Sequence, residues 1–245
     1  MNKSLLISSL GIALAAVSTN ALAGVKVRGG VASGNYEFVV SVPGFGSSTI
    51  KSDYTPLTLG LTFVQDNGWY VDGSYSGGGG KHDGWDPKQN FTHSDLALVA
   101  GKNFSLSDSG TGGSFYLGFK SGSTTMEYPA SAGGDDVFTA SGVVLGGGLG
   151  FPIASGTAGF IGVNLGVGLM NGKYESPGIS SSALKADNTV GASFGLSYTY
   201  PISSQLGLTA DYKSNAYKYK FDIFGTTVDV DEKLNTVGLT LSYAM

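Results

Sequence analysis

Val237-Gly-Leu-Thr-Leu-Ser-Tyr-Ala-Met245, at the end of the chain, alternates without a break. Val237, Leu239, Leu241, Tyr243 and Met245 fall on one parity, and Thr236, Gly238, Thr240, Ser242 and Ala244 on the other. Side chains of a strand point to opposite faces with a period of two, so this segment carries one apolar face and one small, polar face. The same rhythm recurs upstream. Leu57, Leu59, Leu61 and Phe63 oppose Thr58, Gly60 and Thr62. Ile161, Val163, Leu165, Val167 and Leu169 oppose Gly162, Asn164, Gly166 and Gly168, and Val190 to Tyr200 repeat the pattern against Thr189 to Thr199.

Working outward, strands are expected at Val25–Asn35, Tyr54–Gln65, Trp69–Gly77, Thr92–Phe104, Ser114–Gly122, Thr139–Phe151, Ala158–Met170, Asn188–Tyr200, Gln205–Asn215 and Leu234–Met245. Each is close to the roughly 9–11 residues that a tilted strand needs to cross a bilayer. Asp66–Gly68, Ser105–Gly113, Pro152–Thr157 and Pro201–Ser204 make short connections. Val39–Asp53, Gly78–Phe91, Ser123–Phe138, Asn171–Asp187 and Tyr217–Lys233 make long ones, in strict alternation with the short. The expected fold is all-β: a single antiparallel transmembrane β-barrel, read as ten strands, with short periplasmic turns and long extracellular loops.

Composition agrees. Only 13% of the 245 residues are charged, against about 25% in soluble proteins, so the apolar face needs a solvent other than water. The net charge of −4 offers no basic stripe for nucleic acid. Cysteine is absent, which excludes disulfides and thiol catalysis. At the start, Lys3 precedes the apolar stretch Leu5–Val17, and Ala21-Leu22-Ala23 places small residues at a cleavage site. Residues 1–23 therefore read as a cleaved signal peptide and 24–245 as the barrel. On the apolar parity, Phe63, Trp69, Phe104, Phe115, Phe151, Tyr200 and Tyr243 cluster near the short-turn ends, as a periplasmic aromatic girdle would.

In leader, loop alternation, girdle and C-terminal strand, the chain resembles the small Gram-negative outer-membrane β-barrels of the OmpA, OmpX and opacity type. The resemblance covers essentially all of residues 24–245 and is a pattern, with no specific motif. It implies a bacterial outer-membrane location, contact with membrane lipid and lipopolysaccharide, a monomer, and recognition of the last strand by the barrel-assembly machinery. Met245 stands where that superfamily usually has Phe, with Tyr243 at the third position from the end.

Charges on the inward parity are Lys26, Arg28, Asp72, Asp95, Lys120, Asp211 and Lys213. Opposite charges in a narrow barrel should pair, because an uncompensated buried charge is costly. They read as a structural ion network plugging the lumen, with a selective pore as the alternative. The glycine-rich parity of Gly146, Gly148, Gly150, Gly162, Gly166, Gly168, Gly191 and Gly195 serves curvature or leaves space.

No catalytic, cofactor or metal site is expected. His82 lies in a loop and His93 starts a strand, but His93 and Ser94 face opposite ways and cannot act as base and nucleophile. His93 and Asp95 share a face, where a hydrogen bond at the rim accounts for them. The loop acids Asp83, Asp86, Asp135, Asp136, Asp229, Asp231 and Glu232 lack calcium-loop spacing. Gly146–Gly150 lies within a strand pattern and opens no helix, so it holds no nucleotide. The function expected is a non-catalytic envelope barrel acting through surface loops, in adhesion or recognition of an extracellular ligand. Tyr36, Phe38, Phe45, Trp85, Phe91, Tyr128, Tyr174, Tyr217, Tyr219 and Phe221 are its loop contact groups. A porin-like small-solute channel is the alternative, and a membrane protease or lipid hydrolase a third reading resting on the histidines alone.

Overall fold

The structure, a computed structural model, describes residues 22–245 except 130, 132, 155, 156, 177–183 and 224. The expected signal peptide lies outside them but for its last two residues, where the first strand begins. Ten strands follow in order: β1 Leu22–Val42, β2 Gly46–Gln65, β3 Trp69–His82, β4 Gln89–Ser105, β5 Gly112–Met126, β6 Asp136–Pro152, β7 Phe160–Glu175, β8 Leu184–Pro201, β9 Leu206–Ile223 and β10 Thr226–Ala244. Each pairs antiparallel with its neighbours, and β10 pairs with β1 from Lys26↔Ala244 to Ser41↔Asp229. The ten strands form a closed barrel, so none of them presents an open edge to another chain.

The strands run further than the sequence pattern indicated. Pairing of β1 with β2 continues to Val42↔Gly46, and of β9 with β10 to Thr226↔Ile223. Most of the expected long connections Val39–Asp53 and Tyr217–Lys233 is therefore strand, and residues 43–45 suffice to turn the chain in the first of them. At the turns, Gly44, Gly46, Gly68 and Gly225 adopt positive φ, which only glycine does at little cost.

The reason the extension escaped the pattern is an inversion of polarity along the wall. In the half nearer the short turns, the outward parity is apolar: Val27, Leu59, Tyr75, Leu117, Leu145, Leu165, Leu196 and Leu239 are all exposed. This band is tallest on β8, from Val190 to Tyr200. Ten residue steps of about 3.3 Å make about 33 Å of strand, or roughly 25 Å at the tilt usual for such barrels. Beyond it the outward residues turn polar, as in Asn35 and Glu37 of β1, Lys218 and Lys220 of β9, and Asp229, Asp231 and Lys233 of β10. The inward residues invert too. Tyr36, Phe38, Tyr219, Phe221, Val228, Val230 and Leu234 are buried inside that half. One barrel thus joins two environments: an apolar outside around a polar lumen, and above it a polar outside around an apolar core.

Candidate functional site

In the half of the barrel away from the short turns, side chains from opposite walls meet inside the lumen. β1 and β6 stand five strands apart in a ring of ten, yet Phe38 of the one meets Phe138 of the other with ring centroids 5.5 Å apart. Phe138 in turn packs edge-on to Tyr219 of β9 at 4.8 Å. Tyr36 of β1 lies 4.7 Å from Phe91 of β4. Met126 and Met170 complete the same buried cluster. Contacts of this kind across the diameter fill this part of the lumen with apolar side chains, and edge-to-face ring pairs add to the area they bury.

A charged layer sits directly against this plug. The Lys120 ammonium of β5 is 3.1 Å from Asp95 Oδ2 and donates a 3.0 Å hydrogen bond to the Tyr217 hydroxyl of β9. It also lies over the Tyr217 ring at 5.3 Å. His93 Nε2 is 3.3 Å from the same Asp95 oxygen but off-line for a hydrogen bond, while its Nδ1 lies 2.8 Å from the Thr124 hydroxyl. The Tyr219 hydroxyl donates to buried Glu232 at 3.2 Å. Nearer the short turns, Arg28 grips Asp72 through two bonds of 2.6 and 2.8 Å and also reaches Thr62. Such a bidentate pair fixes geometry as well as charge.

Glycine makes these placements feasible. A Cβ at Gly191 would collide with the Tyr217 ring, one at Gly172 with Tyr219, one at Gly146 with Tyr116, and one at Gly60 with the Arg28 guanidinium. These inward glycines are seats for large lumen side chains of other strands. Gly150 alone among the eight glycines singled out by sequence faces open space.

The sequence-derived site residues fall as follows. Arg28 with Asp72, and Asp95 with Lys120, meet across strands. Asp211 pairs with Lys213 on its own strand at 3.3 Å. Lys26 is exposed at the short-turn mouth, with no carboxylate partner among the described residues. Of the aromatic set, Trp69, Phe104, Phe115, Phe151, Tyr200 and Tyr243 are exposed on the outer surface at the short-turn ends, and Phe63 is half-buried there. Trp69 and Phe104 both contact Phe115, at 6.0 and 6.4 Å.

Three expectations need correction. Tyr36, Phe38, Phe91, Tyr217, Tyr219 and Phe221 are buried in the lumen instead of displayed on loops, because the strands carrying them extend beyond the apolar band. His93 and Asp95 lie inside the barrel, away from its rim. Glu232 is a buried lumen residue, where a solvated loop acid was expected. His82, also buried, accepts a hydrogen bond from Gly84 N–H at Nδ1 and donates from Nε2 to the Glu127 carbonyl. Both of its nitrogens are thus occupied by backbone, which fixes the tautomer. At the hairpin tips, Phe45 is 91% exposed and Trp85 projects beside Tyr128. Burial pushes the Tyr128 phenol up to about 12, and the Asp136 carboxylate adds to the shift.

No protein-family model matches the chain, and no curated protein matches it. Solved structures do. The outer membrane protease OmpT from Escherichia coli is similar at 8% identity over 94% of this chain and 100% of that one, with a TM-score of 0.59. The translocator domain of the autotransporter NalP from Neisseria meningitidis follows at 15% identity, 98% and 96% coverage and a TM-score of 0.46. Neisserial surface protein A shares 11% identity over 91% and 99%, with a TM-score of 0.43. At these identities the likeness establishes fold alone, and of the three only OmpT superposes closely enough to carry an argument. The chain has the fold of the small outer-membrane β-barrels.

Proposed function

We propose that this chain is an integral outer-membrane protein that neither conducts solutes nor catalyses, and that acts outside the membrane through the polar-walled extension of its barrel. The observation that supports this reading is the Phe38–Phe138 contact, in which side chains from opposite walls of the ring meet inside the lumen. The apolar band matches the hydrocarbon thickness expected of such barrels. Residues 1–23 serve as the export signal, the short turns face the periplasm, and the extension stands in the medium as a monomer. β10 would engage the barrel-assembly machinery. Phe45 and Trp85 at the tips are the groups offered to an extracellular ligand. Against an enzyme stand the two histidines: His82 is held by backbone at both nitrogens, and His93 is enclosed in the lumen.

A channel is the second reading. It is favoured by a cavity of about 490 Å³ at the short-turn end, lined by Asn103, Ser114, Gly148, Gly150, Gly162 and Asn164. Swelling of proteoliposomes in arabinose and other small sugars separates the two. Vesicles carrying the folded barrel should remain as tight as protein-free ones. Steady swelling would transfer the function to the channel.

A further inference from the structure

The outward face of the apolar band holds one ionic side chain among the described residues, Lys102 of β4. It stands at the short-turn boundary, directly opposite Trp69 of β3 in register and 5.6 Å from the centre of the indole ring. No carboxylate comes within ion-pair reach of it among the described residues. A lysine in that position has its stem on apolar surface and its ammonium at the membrane–water interface.

Two to four residues farther along β3 and β4, away from the short turns, the wall is hollow, and Lys102 stands just beyond the short-turn end of the hollow. Gly73 leaves the outward parity of β3 without a side chain, between Val71 and Tyr75, while Leu59, Leu61 and Leu98 rise around it. The result is a groove of about 420 Å³ on the outside of the barrel, lined mostly by apolar side chains; Arg28, which also lines it, has its guanidinium bonded to Asp72 and Thr62. It runs from Phe63 and Val71 at the girdle up to Tyr75 and Leu96. A side chain at Gly73 would meet only Leu98, at 3.9 Å, so the hollow owes its existence to the missing side chain and not to backbone crowding.

We propose that this groove and Lys102 form one binding site for an anionic glycerophospholipid of the periplasm-facing leaflet. An acyl chain lies in the hollow over Gly73 and the phosphate is held by the Lys102 ammonium, with Trp69 beside it. The proposal rests on the membrane reading above. The groove is continuous with the lipid-facing band, so hydrocarbon is its medium, and the single cation sits at the end where a headgroup of that leaflet must lie. A bulk-exposed apolar wall would bind chains anywhere; a hollow beside a lone cation selects one place and one charge.

The test is native mass spectrometry of the full barrel in neutral maltoside micelles doped with phosphatidylglycerol or, in a parallel arm, with uncharged diacylglycerol. Heat-modifiable gel migration reports folding of every variant. The wild type should retain one phosphatidylglycerol. Gly73→Leu should lower retention of both lipids about tenfold. Lys102→Gln should lower retention of phosphatidylglycerol about fivefold and leave diacylglycerol unchanged, with Lys102→Arg restoring it. Ala192→Leu, on the outward face of β8, should match the wild type. Should Gly73→Leu not fold, Leu98→Trp fills the same hollow. Equal retention in wild type and groove-filled barrels would overturn the site, as would equal phosphatidylglycerol binding by Lys102→Gln. A dimer lost on filling the groove would assign it to a second copy of the chain instead. Failure of the membrane reading shows separately, as a barrel that does not fractionate with outer membranes or enter vesicles.

Discussion

Charges moved along β10 convert the inverted polarity of the wall into measurable free energies. Leu239 is 54% exposed on the outward face of the apolar band, and Thr240 beside it faces the polar part of the lumen. Val230, nine residues earlier, faces inward in the extension and is 4% exposed, next to outward Asp231. Leu239→Lys puts an ammonium in hydrocarbon and should cost about 2–4 kcal/mol. Thr240→Lys keeps its charge in the wet half of the lumen and should cost within about 1 kcal/mol. Val230→Asp buries a carboxylate among Val228 and the plug, two positions from Glu232, with like charge beside it; about 3–5 kcal/mol is expected for an uncompensated buried charge. Asp231→Val removes only the 3.7 Å surface pair with Lys218, worth at most about 1 kcal/mol. Urea unfolding in vesicles, followed by gel migration and tryptophan emission, gives all four values. The reasoning is refuted if Val230→Asp is as mild as Asp231→Val, because a water-filled extension would behave that way.

Three further outcomes are expected. Phe38→Ala combined with Phe138→Ala removes both partners of the cross-lumen contact and should produce single-channel steps in planar bilayers, where the parent is silent; continued silence would place the seal elsewhere. Gly191→Ala displaces Tyr217 from its seat and from Lys120, costing about 1–3 kcal/mol as overpacking does, whereas Gly150→Ala enters open space and should be nearly neutral. The raised phenol of Tyr128 contributes stability that is complete below pH about 10 and lost as pH rises through about 12. In a Trp69→Phe background, emission from Trp85, 6.2 Å from that ring, should therefore change across this window. A flat response would mean that the tip does not sense Tyr128.

The closed barrel, its strand number and its closure by β10 on β1 are all legible from period-two alternation and from turn residues. The plug is not legible while one parity is taken as outward throughout. Yet its signal is present in β1, where the apolar residues shift from odd positions (Val25, Val27, Val31) to even ones (Tyr36, Phe38, Val40, Val42) without an insertion. β10 shows the reverse shift between Leu234 and Val237. A strand cannot swap faces without a bulge, so the environment must change instead. The glycine seats are a different matter. Which aromatic lies on which glycine depends on cross-strand register, as with Tyr217 opposite Gly191, and register is set by all ten strands together. The sequence places His93, Asp95 and Glu232 at the rim or in loops for a related reason, since their depth follows from strand length.

Single-cysteine scanning along β10 tests the inverted wall most directly, because the chain has no cysteine of its own. Each position is labelled with a fluorophore in vesicles and read against a lipid-borne quencher and a water-soluble one. Labels at Val237, Leu239 and Leu241 should be quenched from lipid, labels at Asp231, Lys233 and Asn235 from water, and Val230 and Leu234 should react slowly and meet neither. Lipid quenching that continues on one parity from Met245 up to Asp231, or free aqueous labelling of Val230 and Leu234, would contradict a membrane barrel sealed by an apolar core.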